Sequence, residues 1–282
     1  TGAHDAGPAA STPPAEEPAP QPAATPEVAA ASVSAVDRLP RGKGMWIHYL
    51  ERAEGGDPAA LVARATAAGL THVFVRLGSP KTGFSGKGDL ARLLPAAHAA
   101  GLQVVGWDFP FLDDPAADAA RGAEEIAYRT PDGHGVDAFT ADIETGGEGV
   151  NLTAAAADAY GEGLRRLVGP EFPLIATVPK PTVARAYPYT EVTRHFDAIA
   201  PMVYWLTGDP VADVVKSIDA LAPLGKPILP IGQAYDGAVD GWPGGAPSKD
   251  AIARFIAAAS SKGVRGLSFW VWHHATADQD ER

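Results

Sequence analysis

Short apolar runs alternate with longer amphipathic stretches along most of the chain. Each run has the length of a strand, and each stretch that follows has apolar residues at helical spacing. The predicted strands are residues 44–50, 71–77, 103–109, 136–144, 173–179, 198–205, 227–233 and 266–272. The predicted helices are residues 57–69, 87–100, 114–129, 153–168, 181–196, 209–224 and 248–262, the fifth of which is interrupted by Pro188.

The residues at the ends of the predicted helices support this division. Several helices are followed by a glycine, the residue that most readily adopts the left-handed terminating conformation: Gly69, Gly101, Gly169, Gly225 and Gly263. Strands that alternate with helices pair in parallel, and eight such units predict a single-domain α/β fold, a (β/α)8 TIM barrel over residues 41–282. An open doubly wound sheet is the alternative, but the turn after the first strand, ERAEGGDP, has no Gly-rich phosphate loop.

The first 40 residues differ in composition from the rest of the chain. Ala and Pro fill 20 of these 40 positions, and no residue among them is aromatic. Such a segment buries too little apolar area to offset the entropy of ordering it. We therefore expect residues 1–40 to be a disordered Ala/Pro-rich spacer, or else an N-terminus without a function.

Charge and composition exclude several classes of binding partner and chemistry. The net charge of −11 argues against nucleic acid as the main partner, and no apolar run approaches the ~18 residues of a membrane span. The chain has no cysteine, which excludes disulfides and thiolate chemistry. We expect a monomer without a cofactor or an integral membrane segment. We also expect export to the extracellular space or cell surface, with any signal or lipid-anchor segment outside this sequence.

The fourth predicted strand ends in two carboxylates. Side chains on a strand alternate between its faces, so Phe139, Ala141 and Ile143 share an apolar face, whereas Ala138, Thr140, Asp142 and Glu144 share the other. Chemistry in such barrels lies at the carboxyl ends of the strands. Two acids at one mouth repel each other, which raises the pKa of one and suits it to be a general acid. The structural alternative is an acidic strand end that binds Arg76 or a solvent-exposed turn.

The segment DAFTADIE resembles the fourth-strand DxxDxDxE signature of family-18 chitinases and related barrels. Asp137, Asp142 and Glu144 match three of its acids, and Thr140 replaces the second aspartate. The segment PMVYW resembles the sixth-strand M-x-Y through Met202 and Tyr204, and GLSFW resembles the eighth strand, where Trp270 would form the pocket floor.

The resemblance implies a glycan-cleaving enzyme. It implies that Glu144 protonates the leaving oxygen, while Asp142 and Tyr204 hold a substrate N-acetyl group whose carbonyl attacks the anomeric carbon. The family's third-strand Ser-x-Gly-Gly is absent, and GWDFP occupies 106–110. Family-25 lysozymes also carry Asp-x-Glu on this strand, but their first-strand Asp is missing from GMWIHYL.

Further residues are candidates for substrate binding, because sugars pack on aromatic rings and their hydroxyls bind polar side chains. These candidates, besides Met202 and Trp270, are Trp46, Trp107, Asp108, Gln233, Trp242 and Arg76. The tryptophans of the strands could equally pack the core. The chain contains no H-x-H and no H-E-x-x-H sequence, so we predict no metal site.

Three functions remain open at this point. The first is hydrolysis of a polysaccharide or oligosaccharide that contains N-acetylhexosamine, as chitin or peptidoglycan does. The second is a catalytically silent barrel that binds glycans, against which the presence of Glu144 argues. The third is an endo-hydrolase of a neutral, non-acetylated wall glycan, which Thr140 and the missing third-strand motif favour.

Overall fold

A computed structural model describes residues 1–2 and 34–275, except for the side chain of Asp240. Eight parallel strands follow one another around a closed barrel. Their bounds are β1 Gly42–Ile47, β2 His72–Ser79, β3 Gln103–Asp108, β4 Ala138–Asp142, β5 Leu174–Pro179, β6 Ala198–Val203, β7 Ile231–Gln233 and β8 Gly266–Trp270. Strand β1 closes the barrel by pairing with both β2 and β8. The (β/α)8 prediction is therefore confirmed.

Seven α-helices pack around the barrel in the described part of the chain. They are α1 Pro58–Ala67, α2 Lys87–Ala99, α3 Pro115–Ala127, α4 Ala154–Val168, α5 Tyr189–Thr193, α6 Pro210–Leu221 and α7 Lys249–Ser261. Three of them begin with Asp-Pro: Asp57-Pro58, Asp114-Pro115 and Asp209-Pro210. The aspartate accepts a hydrogen bond from a backbone N–H of the first turn, and the proline has no N–H that would need an acceptor there.

Two element boundaries differ from the sequence-based prediction because of proline. The fifth helix covers only Tyr189–Thr193 and not 181–196, and Pro188 is its N-cap residue. The seventh strand covers only Ile231–Gln233 and not 227–233, since Pro227 and Pro230 have no N–H to donate to a neighbouring strand. The five predicted terminating glycines all have a positive φ, between 67° and 80°.

The strands separate two apolar cores. The inward-facing side chains fill the barrel interior, and Trp46, Phe74 and Trp107 are the largest of them. The outward-facing side chains pack under the helices, with Phe139 and Ile143 from β4 and the segment after it. Both cores follow from the alternation of side chains along each strand.

The barrel unit begins earlier than the predicted boundary at residue 41. A short 3-10 helix covers Val36–Arg38, and Leu39 is buried against the barrel interior. Among the described residues, the compact unit therefore already includes 34–40. Residues 3–33, which make up most of the predicted spacer, lie outside the described residues. In the described part of the chain, no helix combines the length and the apolar character needed to cross a bilayer.

Candidate active site

Asp142 and Glu144 lie at the mouth of the barrel, as the alternation along the fourth strand predicts. Asp142 is the last residue of β4, and Glu144 follows it by two positions. Ile143 between them packs into the outer core and is fully buried. The two carboxylates therefore share the inward face at the carboxyl end of the strand, where barrel enzymes hold their reactive groups.

A cavity of about 150 Å³ opens beside these carboxylates. Its lining comes from six of the eight strands and the segments that follow them: Trp46, Asp142, Glu144, Thr177, Met202, Tyr204, Ile231 and Trp270. Six of these are residues that the sequence analysis selected, from strands one, four, six and eight. Three rings and two acids in one concave site can bind a sugar by its apolar face and act on its polar groups.

Burial controls the charge of Asp142. The side chain is only 8% exposed, and its Oδ1 atom has no hydrogen-bond partner among the described residues. Burial raises the pKa of Asp142 to about 7, although the guanidinium of Arg76 opposes the shift. Asp142 is thus poised to be ionised in part of the molecules near neutral pH.

Glu144 is held in its protonated form. Burial, followed by the charges of Asp142 and Glu148, raises the pKa of Glu144 to about 9, while a hydrogen bond from the Thr145 backbone lowers it. Two neighbouring carboxylates titrate as a pair, and here the second proton stays on Glu144. A carboxyl group that remains neutral at pH 7 is able to donate a proton to a leaving group.

Tyr204 is positioned through its backbone. The Lys180 ammonium donates a hydrogen bond to the Tyr204 carbonyl at 2.7 Å and forms an ion pair with Asp213 at 2.6 Å. The Tyr204 ring meets the Tyr235 ring edge-on, with the centroids 5.4 Å apart. Burial raises the pKa of Tyr204 well above its ordinary value, so its phenol stays a neutral hydrogen-bond donor.

The tryptophans form a cluster under the cavity. Trp46 stacks on Phe74 at 4.4 Å, lies 5.8 Å from Trp270, and donates its indole N–H to Ser268 Oγ at 2.9 Å. Trp107 is 98% buried and donates to the Ile47 carbonyl, so it packs the interior and is absent from the cavity lining. Trp270 and Trp46 border the cavity, and the Trp107 ring lies against both, with centroid distances of 5.8 and 5.5 Å.

Two residues predicted to contact substrate are fully buried and absent from the cavity lining. Asp108 follows the inward-facing Trp107, so its side chain turns to the helix layer, where it is fully buried and accepts two hydrogen bonds from Arg121, at 2.6 and 3.1 Å. Gln233 is also fully buried. Its amide accepts a hydrogen bond from the Leu206 N–H and donates one to the Tyr235 carbonyl, so both ends of the amide bind the protein's own backbone.

The remaining predicted residues lie around the cavity or away from it. Arg76 faces inward from β2, outside the lining, and donates a hydrogen bond to His48 rather than to a carboxylate. Trp242 is 58% exposed on the loop after β7 and does not line the cavity. Asp137 accepts hydrogen bonds from the Val104 N–H and His98 at the start of β4, so it is structural.

Sequence analysis missed residues that position the site. The hydroxyl of Tyr187 donates a hydrogen bond at 2.6 Å to the carbonyl of Ile143, which lies between the two acids. Lys180 holds the backbone of Tyr204. Both lie in the irregular segment after β5, where no periodic pattern assigns a direction to a side chain, so the sequence offered no signal for them.

A larger cavity of about 460 Å³ lies at the opposite end of the barrel. It is lined by residues that precede strands β1, β7 and β8, including Pro40, Leu229 and Arg265. That end of a (β/α)8 barrel contributes to stability and does not carry the reactive groups. Within residues 34–275, no group of three or more His, Cys, Asp or Glu side chains is arranged to hold a metal ion.

No protein-family model matches the chain, and no curated protein matches it in sequence. Solved structures do match its fold. An endo-1,4-beta-D-mannanase from Thermotoga petrophila RKU-1 is 11% identical, with a TM-score of 0.60 over 82% of this chain and 88% of that one. The chitinase ICChI from Ipomoea carnea is 14% identical, with a TM-score of 0.57 over 85% and 97%.

The fold is also shared by a protein that is named as an inhibitor. The xylanase and alpha-amylase inhibitor protein XAIP-II from Scadoxus multiflorus is 16% identical, with a TM-score of 0.58 over 86% of this chain and 97% of that one. Likeness at this level of identity establishes the (β/α)8 barrel as the class of the protein. The reaction has to be argued from the site itself.

Proposed function

We propose that the protein is a glycoside hydrolase that cleaves a polysaccharide or oligosaccharide with Glu144 as its general acid. The observation that carries the proposal is the pairing of the buried Asp142, at the end of β4, with the half-buried Glu144 that follows it, beside a cavity bordered by Trp46 and Trp270. Burial raises the pKa of both acids, that of Glu144 further than that of Asp142. Carboxyl groups with separated acidities divide into an acid and a base or nucleophile.

In this mechanism, Glu144 donates its proton to the oxygen of the glycosidic bond while the bond to the anomeric carbon breaks. Asp142, in its ionised form, stabilises the positive charge that develops on the sugar ring. The Glu144 carboxylate then accepts a proton from the water that completes the hydrolysis. Glu144 acts first as an acid and then as a base, so it regains its proton and the enzyme is restored.

We infer further that the sugar carries an N-acetyl group that assists the reaction. Asp142, Tyr204 and Met202 line the same cavity, and the phenol of Tyr204 stays a neutral donor. A donor and a carboxylate can together hold an acetamide, so that its carbonyl oxygen attacks the anomeric carbon without a protein nucleophile. The chitinase among the structures with this fold is consistent with such a substrate.

Two other functions are outcomes of the same test. A neutral, non-acetylated glycan is favoured by the mannanase of the same fold and by Thr140, which stands where the chitinase-like pattern has an aspartate. In that reaction Asp142 would itself be the nucleophile. A silent binding barrel is favoured by the inhibitor protein with this fold, but a protonated Glu144 at the cavity supports catalysis.

The test is a substrate panel whose products are identified by mass. The purified protein is incubated with chitin oligomers, peptidoglycan, mannan and xylan, and Glu162→Gln serves as a control because Glu162 is exposed on α4 and is absent from the cavity lining. We expect release of sugars from an N-acetylated glycan by both proteins. Release of sugars from mannan or xylan only would favour hydrolysis of a neutral, non-acetylated glycan. Binding without release from any glycan would favour the silent barrel.

A further inference from the structure

An arginine faces the barrel interior at the mouth where Asp142 also lies. Inward-facing positions alternate along β2 through His72, Phe74 and Arg76, so the side chain of Arg76 points into the barrel at its mouth. Burial raises the pKa of Asp142, and the positive charge of Arg76 opposes that shift. Arg76 is nevertheless part of no ion pair within 4.0 Å among residues 34–275.

The guanidinium of Arg76 is held in place on two sides. Its Nη1 donates a hydrogen bond to His48 Nε2 at 2.5 Å, and its Cζ lies 5.4 Å from the centre of the Trp107 ring. Burial, helped by the charge of Arg76, lowers the pKa of His48 to about 4, so the imidazole is neutral and accepts this hydrogen bond. A fixed guanidinium loses little freedom when it binds a ligand.

Most of the hydrogen-bonding capacity of Arg76 is unused by the protein. A guanidinium has five N–H donors, and His48 is the one acceptor of Arg76 within the described residues. The partly buried Arg165 differs from Arg76, because it donates four hydrogen bonds, three to backbone carbonyls and one to Asp197. An inward-facing cation without a carboxylate partner destabilises the fold unless a bound anion, such as a ligand, pairs with it.

A second cation lies on the same side of the mouth. Arg52 follows β1 with its Cζ 4.8 Å from the centre of the Tyr49 ring, and Tyr49 stacks on His48 at 4.0 Å. Arg52 also forms no ion pair among the described residues. Two arginines without an ion pair among the described residues therefore lie on the β1–β2 side of the mouth, while Asp142 and Glu144 lie on the β4 side.

We propose that Arg76 binds a carboxylate of the substrate, so that the glycan is an acidic one whose charged group lies next to the sugar that is cleaved. The inference rests on the proposed glycosidase function and names the class of its substrate. Arg52 adds attraction at the rim, and Arg76 supplies the paired N–H donors that fit a carboxylate. Two kinds of sugar carry such a group: uronic acids, and N-acetylhexosamines with a carboxylic ether such as N-acetylmuramic acid.

The experiment compares binding of sugars that differ only in this carboxylate. Glu144→Gln stops turnover, and dissociation constants are measured by calorimetry for two matched pairs. The first pair is an oligosaccharide of alternating N-acetylglucosamine and N-acetylmuramic acid and an N-acetylglucosamine oligomer of equal length. The second pair is an oligogalacturonate and its carboxyl-reduced form. Each pair is measured again after adding Arg76→Gln, Arg76→Lys or Arg166→Gln.

We expect one acidic sugar to bind roughly tenfold to a hundredfold more tightly than its neutral match, as a charge-assisted hydrogen-bonded pair predicts. Arg76→Gln should abolish this preference, and Arg76→Lys should retain part of it because lysine keeps the charge and loses the paired donors. Arg166→Gln should retain all of it, since this exposed residue of α4 removes the same charge away from the mouth.

The pair that shows the preference identifies the source of the carboxylate. Equal binding of the acidic and neutral members of both pairs, or a preference that survives Arg76→Gln, would overturn the inference. Equal weakening of acidic and neutral sugars by Arg76→Gln would also overturn it, because that pattern means Arg76 only positions other groups. Absence of hydrolysis by the unsubstituted protein would reject the glycosidase and leave this binding comparison valid.

Discussion

Thr140 and Thr177 form a hydroxyl pair across β4 and β5, with their Oγ1 atoms 2.8 Å apart. Both side chains are buried, and Thr177 also lines the cavity that holds Asp142. Thr140 occupies the position where the chitinase-like pattern has an aspartate. The inward-facing residue that precedes Asp142 on β4 is therefore a neutral threonine, hydrogen-bonded to Thr177, and not a carboxylate.

We predict that Thr140→Val destabilises the protein more than the double substitution with Thr177→Val does. The single variant leaves the Thr177 hydroxyl buried without this partner, at a cost of about 1–3 kcal/mol, whereas removing both hydroxyls is close to neutral. Denaturant unfolding of the four proteins in this cycle measures the difference. Equal destabilisation by the single and double variants would mean that the two hydroxyls do not depend on each other.

The pH dependence of kcat/KM should follow the two acids. Asp142 must be ionised and its pKa is about 7, so activity should fall as the pH decreases through 7. Glu144 must be protonated and its pKa is about 9, so activity should fall as the pH rises through 9. Both limbs belong to the coupled pair. A profile that stays flat from pH 5 to pH 10 would contradict these roles.

The charge of Arg76 adds a second test to this profile. Arg76 lowers the pKa of Asp142, so Arg76→Gln should raise that pKa and move the acid limb to higher pH. The alkaline limb should move less. An acid limb that shifts to lower pH would show that Asp142 is not the group that titrates there.

Most of the fold and part of the candidate site can be predicted from the sequence. Strand and helix positions followed from apolar periodicity, and the side of β4 on which Asp142 lies followed from alternation. Asp108 lies at a strand end, but the same alternation directs its side chain away from the cavity and toward Arg121. Element ends shifted where Pro188 and Pro230 remove N–H donors.

The rest of the site depends on contacts between distant segments. His48 and Arg76 lie 28 positions apart and meet because β1 and β2 are neighbours. Tyr187 reaches Ile143 across 44 positions from a segment without regular structure. Neither periodicity nor composition contains such pairings, so a single sequence does not reveal them.

Arg121 should be critical for stability, although it is remote from the cavity. It donates hydrogen bonds to Asp108 and Asp118, both of which are almost completely buried. Arg121→Ala leaves two buried carboxylates without their cation and should cost about 3–5 kcal/mol. Chemical denaturation measures this loss, with the exposed Arg166→Ala as the control. A loss below about 1 kcal/mol would show that the buried pair contributes little.

The nature of the nucleophile can be tested with a thiazoline that mimics the cyclised N-acetyl intermediate. Substrate assistance predicts competitive inhibition, because the cavity is complementary to that intermediate. Asp142→Asn should then be milder than Asp142→Ala, since the amide still bonds to the acetamide. Failure of the thiazoline to inhibit, together with a covalent sugar on Asp142, would instead establish the neutral-glycan mechanism.

The central claim is that Glu144 donates the proton, and the turnover rate of Glu144→Gln tests it most directly. Glutamine keeps the shape of the side chain and has no acidic proton, so kcat should fall by about 10²–10⁴-fold or more. Burial raises the pKa of Glu144 to about 9 in the folded protein, from 4.5 in the unfolded chain. Between these two pH values, the free energy of unfolding therefore falls as the pH rises. The melting temperature of Glu144→Gln at pH 8 should therefore be no lower than that of the unsubstituted protein. A folded variant that retains kcat within tenfold of the unsubstituted enzyme would contradict the assignment.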